Sequence, residues 1–79
     1  MSERLILKGR IYELKKQKRT LELEAQGNII LVRNLINPYE DNILNLKIEE
    51  AQISINRLAE IKDKLKEINE KIEKLEAEL

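Results

Sequence analysis

Cysteine, histidine, tryptophan and phenylalanine are all absent from the 79 residues, and there are only one proline and two glycines. Without cysteine there is no disulfide, and without cysteine and histidine there is no ordinary zinc ligand set. The same gaps remove the thiolate nucleophile and the neutral-pH proton carrier. Ser2 and Ser54 have no base within a recognisable constellation, and no glycine-rich loop is present to cradle phosphate. No enzyme, metal or cofactor chemistry is therefore expected. With so few turn formers, a sandwich, barrel or βαβ unit is excluded as well. The longest apolar run is Ile29 to Val32, far below the roughly 20 residues a membrane span needs. Residues 1–12 interleave Glu3, Arg4, Lys8 and Arg10 with apolar positions, so no secretory leader is expected and the chain reads as cytoplasmic.

What is present is helix-forming material. Fifteen basic residues balance fifteen acidic ones. Ala, Glu, Lys, Leu and Arg dominate, a bias of coiled coils and long helices. A chain this short buries too little surface for a comfortable core. Oligomerisation is then the staple left to it.

The sole proline divides the chain. Pro38 cannot continue an incoming helix and restricts Asn37 away from helical angles. It suits the first turn of a new helix, with Asn37 as N-cap and Glu40 completing a capping box. This predicts helix 1 over about 3–35, a turn at 36–38 and helix 2 over about 38–78, one helical hairpin in a single domain.

Each arm carries a heptad seam. In the first it runs Leu7, Ile11, Leu14, Lys18, Leu21, Ala25, Asn28, Val32, Leu35, with a 4-3 alternation throughout. In the second it reads Leu44, Ile48, Ala51, Ile55, Leu58, Ile61, Leu65, Ile68, Ile72, Leu75, Leu79, broken by one 3-3 step at Ile55-Leu58-Ile61. Folding about Pro38 pairs positions whose numbers sum to about 76. Ala25 then meets Ala51 and Lys18 meets Leu58, where the 3-3 step suggests a local hinge. The second arm overhangs the first at the free end. Lys18 and Asn28 are the polar seam members, and Asn28 is a candidate for fixing register.

Further apolar residues lie off the seam near the turn. A helix apolar on more than one face needs more than one neighbour. Leu23, Gly27, Ile30, Leu46 and Ile53 are therefore the candidate interface, for a homodimer forming a four-helix bundle or for another protein. Tyr39 at the tip covers the hairpin end or anchors a partner. The stretch Lys8 to Arg19 holds six basic residues against Glu13. It pairs with acids on the returning arm, or Lys8, Lys15, Lys16 and Arg19 track a phosphate backbone. Glu60/Lys64, Glu67/Lys71 and Glu70/Lys74 are supporting i,i+4 pairs.

In outline the hairpin resembles the plasmid copy-number proteins of the Rop type, which dimerise to four helices and bind paired RNA loops through basic residues and a Phe. This chain has no Phe. It is similar in outline to small sporulation-phosphatase hairpins too, but lacks their Ser-Gln-Glu-Leu-Asp signature. The resemblance implies architecture alone. The expected function is a non-catalytic protein-protein interaction module. Alternatives are a nucleic-acid-binding regulator and a structural coiled-coil spacer.

Overall fold

The computed structural model describes residues 2–79 and is a long antiparallel hairpin, 62 × 16 × 15 Å. Helix α1 spans Glu3–Leu35 and helix α2 spans Ile48–Ala77, with a single 3-10 turn at Ile43–Asn45 between them. Ser2 caps α1, its side chain accepting from the Arg4 N–H at 3.2 Å. Among the described residues no helix is long and apolar enough to cross a membrane.

The second helix begins at Ile48, not at Pro38 as the capping pattern predicts. The polar residues that promise a helix start build turns instead. Asn37 Oδ1 accepts from the Tyr39 N–H at 2.9 Å, and the Glu40 N–H donates to the Asn37 carbonyl at 3.1 Å. Glu40 Oε1 accepts from the Asn42 N–H at 3.0 Å, and Asn42 Oδ1 from the Leu44 N–H at 3.0 Å. Short Asn and Asp side chains compete with the helical ladder for backbone donors. Three asparagines within nine positions (37, 42 and 45) let that competition win over 36–47. Helix α2 has no side-chain cap. The Lys47 N–H donates across the hairpin to the Leu35 carbonyl at 3.2 Å, and Glu49 and Glu50 place negative charge at the positive helix end.

The longer loop resets the register. Glu24 and Arg57 meet on one flank of the seam and sum to 81, and Lys15 and Glu76 meet on the other and sum to 91. Facing seam positions therefore sum to about 86 rather than 76, which again sets each a position of one helix against a d position of the other. Seam matching alone is blind to which such register is taken, and the loop decides it. Ala25 now lies level with Ile61 and Ala51 with Leu35, so the two alanines do not meet. Lys18 is level with Ile68 rather than Leu58. The second arm does not overhang the first at the free end.

Burial defines the seam. On α1 the residues turned inward are Leu7, Ile11, Leu14, Lys18, Leu21, Ala25, Asn28, Val32 and Leu35, with Glu24 at the edge. On α2 they are Ala51, Ser54, Leu58, Ile61, Leu65, Ile68, Ile72 and Leu75, with Arg57 at the edge. The second series is an unbroken 3-4 alternation. Ser54, 6% exposed, takes the place that hydrophobicity alone gives to Ile55, which is 46% exposed. The 3-3 step and its hinge are thus absent. Leu44 and Ile48 also leave the seam, at 88% and 42% exposed, because the loop occupies the positions where the first two turns of helix 2 are predicted.

Candidate interaction surface

Two parts of the hairpin have opposite character. Toward the free ends the seam is aliphatic: Ile11, Ile61, Ile68 and Ile72 are buried, and charged residues cover the outside. Toward the tip the seam alternates small or polar residues, Ala25, Asn28, Ala51 and Ser54, with Val32, Leu35 and Leu58, which are only half-buried. Other large apolar side chains there are outside. Leu23, Ile30, Ile43, Leu44 and Ile53 are each about three-fifths exposed or more.

The polar seam members are satisfied locally. Asn28 Nδ2 donates to the Glu24 carbonyl one turn earlier at 3.0 Å, which occupies the donor expected to specify register. Among the described residues no buried side-chain polar atom lacks a partner. Beside them Arg57 clamps the two helices. Its Nη2 donates to Glu24 Oε1 at 2.9 Å and its Nε to Glu24 Oε2, while Nη1 reaches Glu60 Oε2 at 3.0 Å. This forked pairing matches the planar guanidinium to the carboxylate. The hydrogen bond from Arg57 holds the Glu24 carboxyl below its ordinary value of 4.5. The same bonds to Glu24 and Glu60 push the Arg57 pKa up. Sequence reasoning misses this clamp, since the expected register does not set the two residues side by side.

The five predicted interface residues do not form one face. In a helix each residue advances by 100°, so Leu23 and Ile30 lie on the back of α1, directly away from the seam. Gly27 and Ile53 lie toward the side that carries the Arg57 clamp, and Leu46 is half-buried in the loop. A β-carbon at Gly27 or at Gly9 meets nothing within 4 Å, so neither glycine serves a close approach within the hairpin.

The opposite side of the seam is more uniform. There the flanking positions of both helices are Ile29 and Ile36 on the first arm and Ile48 and Ile55 on the second. Their exposures are 42, 38, 42 and 46%. In this register Ile29 lies within a turn of the level of Ile55, and Ile36 within a turn of that of Ile48, so the four make one apolar block beside the tip. Tyr39, 90% exposed, stands at the tip without covering the hairpin's end.

Farther along the same side the surface is charged, with Glu22 one heptad from Ile29 and Glu73 and Glu76 beside Lys15 and Lys18. Lys8, Lys15 and Arg19 project within about 40° of one another on α1, and Lys16 is offset by roughly a quarter turn; all four are exposed. The register sets 8–19 opposite about 67–78, where five acids outnumber two bases. Among the described residues Lys15 is the one basic group of this stretch in an ion pair, 3.7 Å from Glu76. Of the predicted i,i+4 pairs Glu67 and Lys71 meet, at 3.4 Å, while Glu60 turns to Arg57. On the clamp side a shallow groove of about 760 Å³ near the free ends is lined by Ile6, Gly9, Leu14 and Leu75 between Arg10 and Lys71.

No protein-family model, curated protein or solved structure matches the chain.

Proposed function

We propose that this hairpin is a non-catalytic protein-protein interaction module that acts through self-association and helix-face binding. The observation that carries this reading is the inversion near the tip. Large aliphatic side chains stand outside a seam in which alanine, serine and asparagine take about half of the positions, whereas an isolated pair of helices gains most by the reverse arrangement. A contiguous apolar surface of this kind on a small soluble rod marks a site of association. A homodimer, completing four helices around the tip-proximal halves, buries it with an isologous interface. Light scattering over a concentration series tests this. A species near twice the 9.3 kDa chain mass supports self-association, and a monomer at every concentration refutes it.

A second reading is nucleic-acid binding by Lys8, Lys15, Lys16 and Arg19. It is favoured by one observation, that the returning arm leaves most of this stretch without ion-pair partners. Phosphate contacts weaken steeply with salt. Retention of RNA or DNA that falls steeply between low and moderate salt supports this reading, and salt-independent or absent retention opposes it.

A further inference from the structure

We infer that the hairpin has a second register one heptad away, reached when α2 grows backward to Ile43 and slides along α1. The slide moves apolar surface from the tip to the free ends, so the two ends of the rod sense each other. It is a property of the single chain and does not depend on self-association.

The start of α2 is unfinished. The 3-10 turn Ile43–Asn45 already has an N-cap in Asn42, whose side chain accepts from the Leu44 N–H, whereas Lys47 before α2 makes no side-chain cap. Leu46 (φ −80°, ψ 134°) and Lys47 (φ −92°, ψ 67°) alone separate the two segments. Both φ values are already close to helical, so a rotation of ψ at two residues joins them. One helix then runs from Ile43 to Ala77 with a good cap. Leu44 and Lys47 prolong the 3-4 alternation of Ala51, Ser54 and Leu58. Where the turn now stands, Ile43 and Leu44 are 67% and 88% exposed and gain almost nothing from burial.

A move of one heptad makes facing seam positions sum to about 79. Leu35 then meets Leu44, Leu21 meets Leu58, Leu14 meets Leu65 and Ile11 meets Ile68. In the observed register the same four residues face Ala51, Leu65, Ile72 and Leu75. Each register therefore lays aliphatic on aliphatic along the strong half. The chain closes in the displaced register too, since Ile36 is level with Ile43 and residues 37–42 remain to make the turn.

No polar seam contact locks the observed register. Asn28 bonds its own helix, and Lys18 faces an isoleucine either way, Ile68 or Ile61. The Arg57 clamp survives the move. Arg57 stands five positions from the level of Glu24 in the observed register and two in the displaced one, while remaining on the same flank. What is lost is the backbone bond from Lys47 to Leu35 and the Lys15–Glu76 pair, whose side chains are half-exposed or more. Exposed pairs of this kind contribute little.

The ends trade surface along a 62 Å rod. In the observed register Leu44 is exposed and Leu75 is half-buried. In the displaced one Leu35 covers Leu44, and Leu75 moves about 10 Å outward along α1 to the level of Arg4. A partner that holds Leu44 keeps the first state, and one that holds Leu75 draws the second. Binding at either end thereby biases the other through its differential affinity for the two states.

The chain has no cysteine, so engineered pairs report register by disulfide closure. A disulfide needs Cα atoms within about 7 Å, and one heptad of helix is about 10.5 Å. Three double variants share Leu14→Cys. Ile72→Cys reports the observed register, Leu65→Cys the displaced one, and Leu58→Cys is a control a further heptad away. All three lose two seam aliphatics, so any loosening of the fold acts on the control as well. Mass under non-reducing conditions separates bonds within one chain from bonds between two, which keeps the outcome apart from self-association.

The observed pair is expected to close first. The displaced pair is expected to close at least about tenfold more slowly, as befits a minor state of roughly 0.1–10%, yet at least about tenfold faster than the control. Leu44→Glu sets a carboxylate against Leu35 in the displaced register alone, and is expected to slow that pair about tenfold while the observed pair is unchanged. Leu75→Glu, at the other end, is expected to speed the displaced pair several-fold. A displaced pair that closes no faster than the control, or that ignores both variants, overturns the inference. An observed pair that fails to close overturns it as well.

Discussion

Near the free ends the seam is filled by Ile11, Leu14, Ile61, Ile68 and Ile72, and near the tip Ala25, Asn28, Ala51 and Ser54 alternate with half-buried Val32, Leu35 and Leu58. Both halves obey the same heptad geometry, yet they use it for different ends. In the first, apolar surface is removed from water by the opposite helix, and the outside is a solvated mix of Lys and Glu. In the second, small and polar side chains take about half of the seam positions while isoleucines and leucines face outward. Periodicity thus reports where the seam runs, and the size of its residues reports how much stability it supplies locally. A hairpin with one strong half and one weak, sticky half is stable enough to fold through the first and has surface left for a partner through the second.

The largest way to break this contrast is to remove Ile61, which is 1% exposed. Ile61→Ala is expected to cost about 2–5 kcal/mol, read by urea unfolding at a fixed chain concentration. Ile53→Ala, at a position 72% exposed, is expected to change stability by less than about 0.5 kcal/mol. Comparable losses at the two sites would erase the distinction between the halves.

A smaller change sharpens it. Asn28→Leu puts an aliphatic side chain into the weak half of the seam, level with Leu58. Its amide bonds only its own helix, so no cross-helix partner is orphaned. Stability is expected to rise by about 1 kcal/mol, with oligomer state blurred as the tip-proximal seam strengthens. A single sharp species of unchanged stability would show that Asn28 holds a constraint the hairpin alone does not display.

Gly27→Ala probes the outside of the same half. The added β-carbon enters open space, and alanine is the better helix former, so a gain of about 0.5–1 kcal/mol is expected. A loss, measured at a concentration where the chain associates, would place a second chain against that face.

How much of this was readable beforehand follows from the kinds of residue involved. Every seam position of α1 is legible, because each is set by strict 4-3 spacing and the two polar members, Lys18 and Asn28, fall inside an otherwise apolar series. On α2 the same approach chooses Ile55 over Ser54, since hydrophobicity was the criterion and a serine can sit inward where helices run close. The signal that would have found it is regularity: with Ser54 the spacing is unbroken from Ala51 to Leu75. Residues 37–47 mislead for a different reason. Asn37, Pro38 and Glu40 form a good capping box on paper, but the same side chains make the turns seen here, and nothing local ranks one outcome above the other. From that loop follow the register and the Glu24–Arg57 clamp, neither of which a heptad pattern specifies, because it repeats every seven residues.

The clamp yields the smallest effect, visible as a pH dependence. Arg57 holds the Glu24 carboxyl below its ordinary value of 4.5. A carboxyl lowered in the folded state binds its proton more readily when unfolded, so stability from the pair is fully present above 4.5 and is lost as pH falls through the lowered folded value. Both groups are part-exposed, where solvent and salt screen the pairing. The expected result is a shallow fall in the urea midpoint below pH 4.5, flattened in Glu24→Gln relative to the wild type. The clamp lies at the boundary between the strong aliphatic seam and the small polar one. If the fall persists unchanged in that variant, the acid-sensitive step belongs to other carboxylates, and the boundary is held by Ala25 and Ile61 packing alone. If it flattens, the clamp is what lets the tip-proximal half stay paired with so little apolar seam of its own.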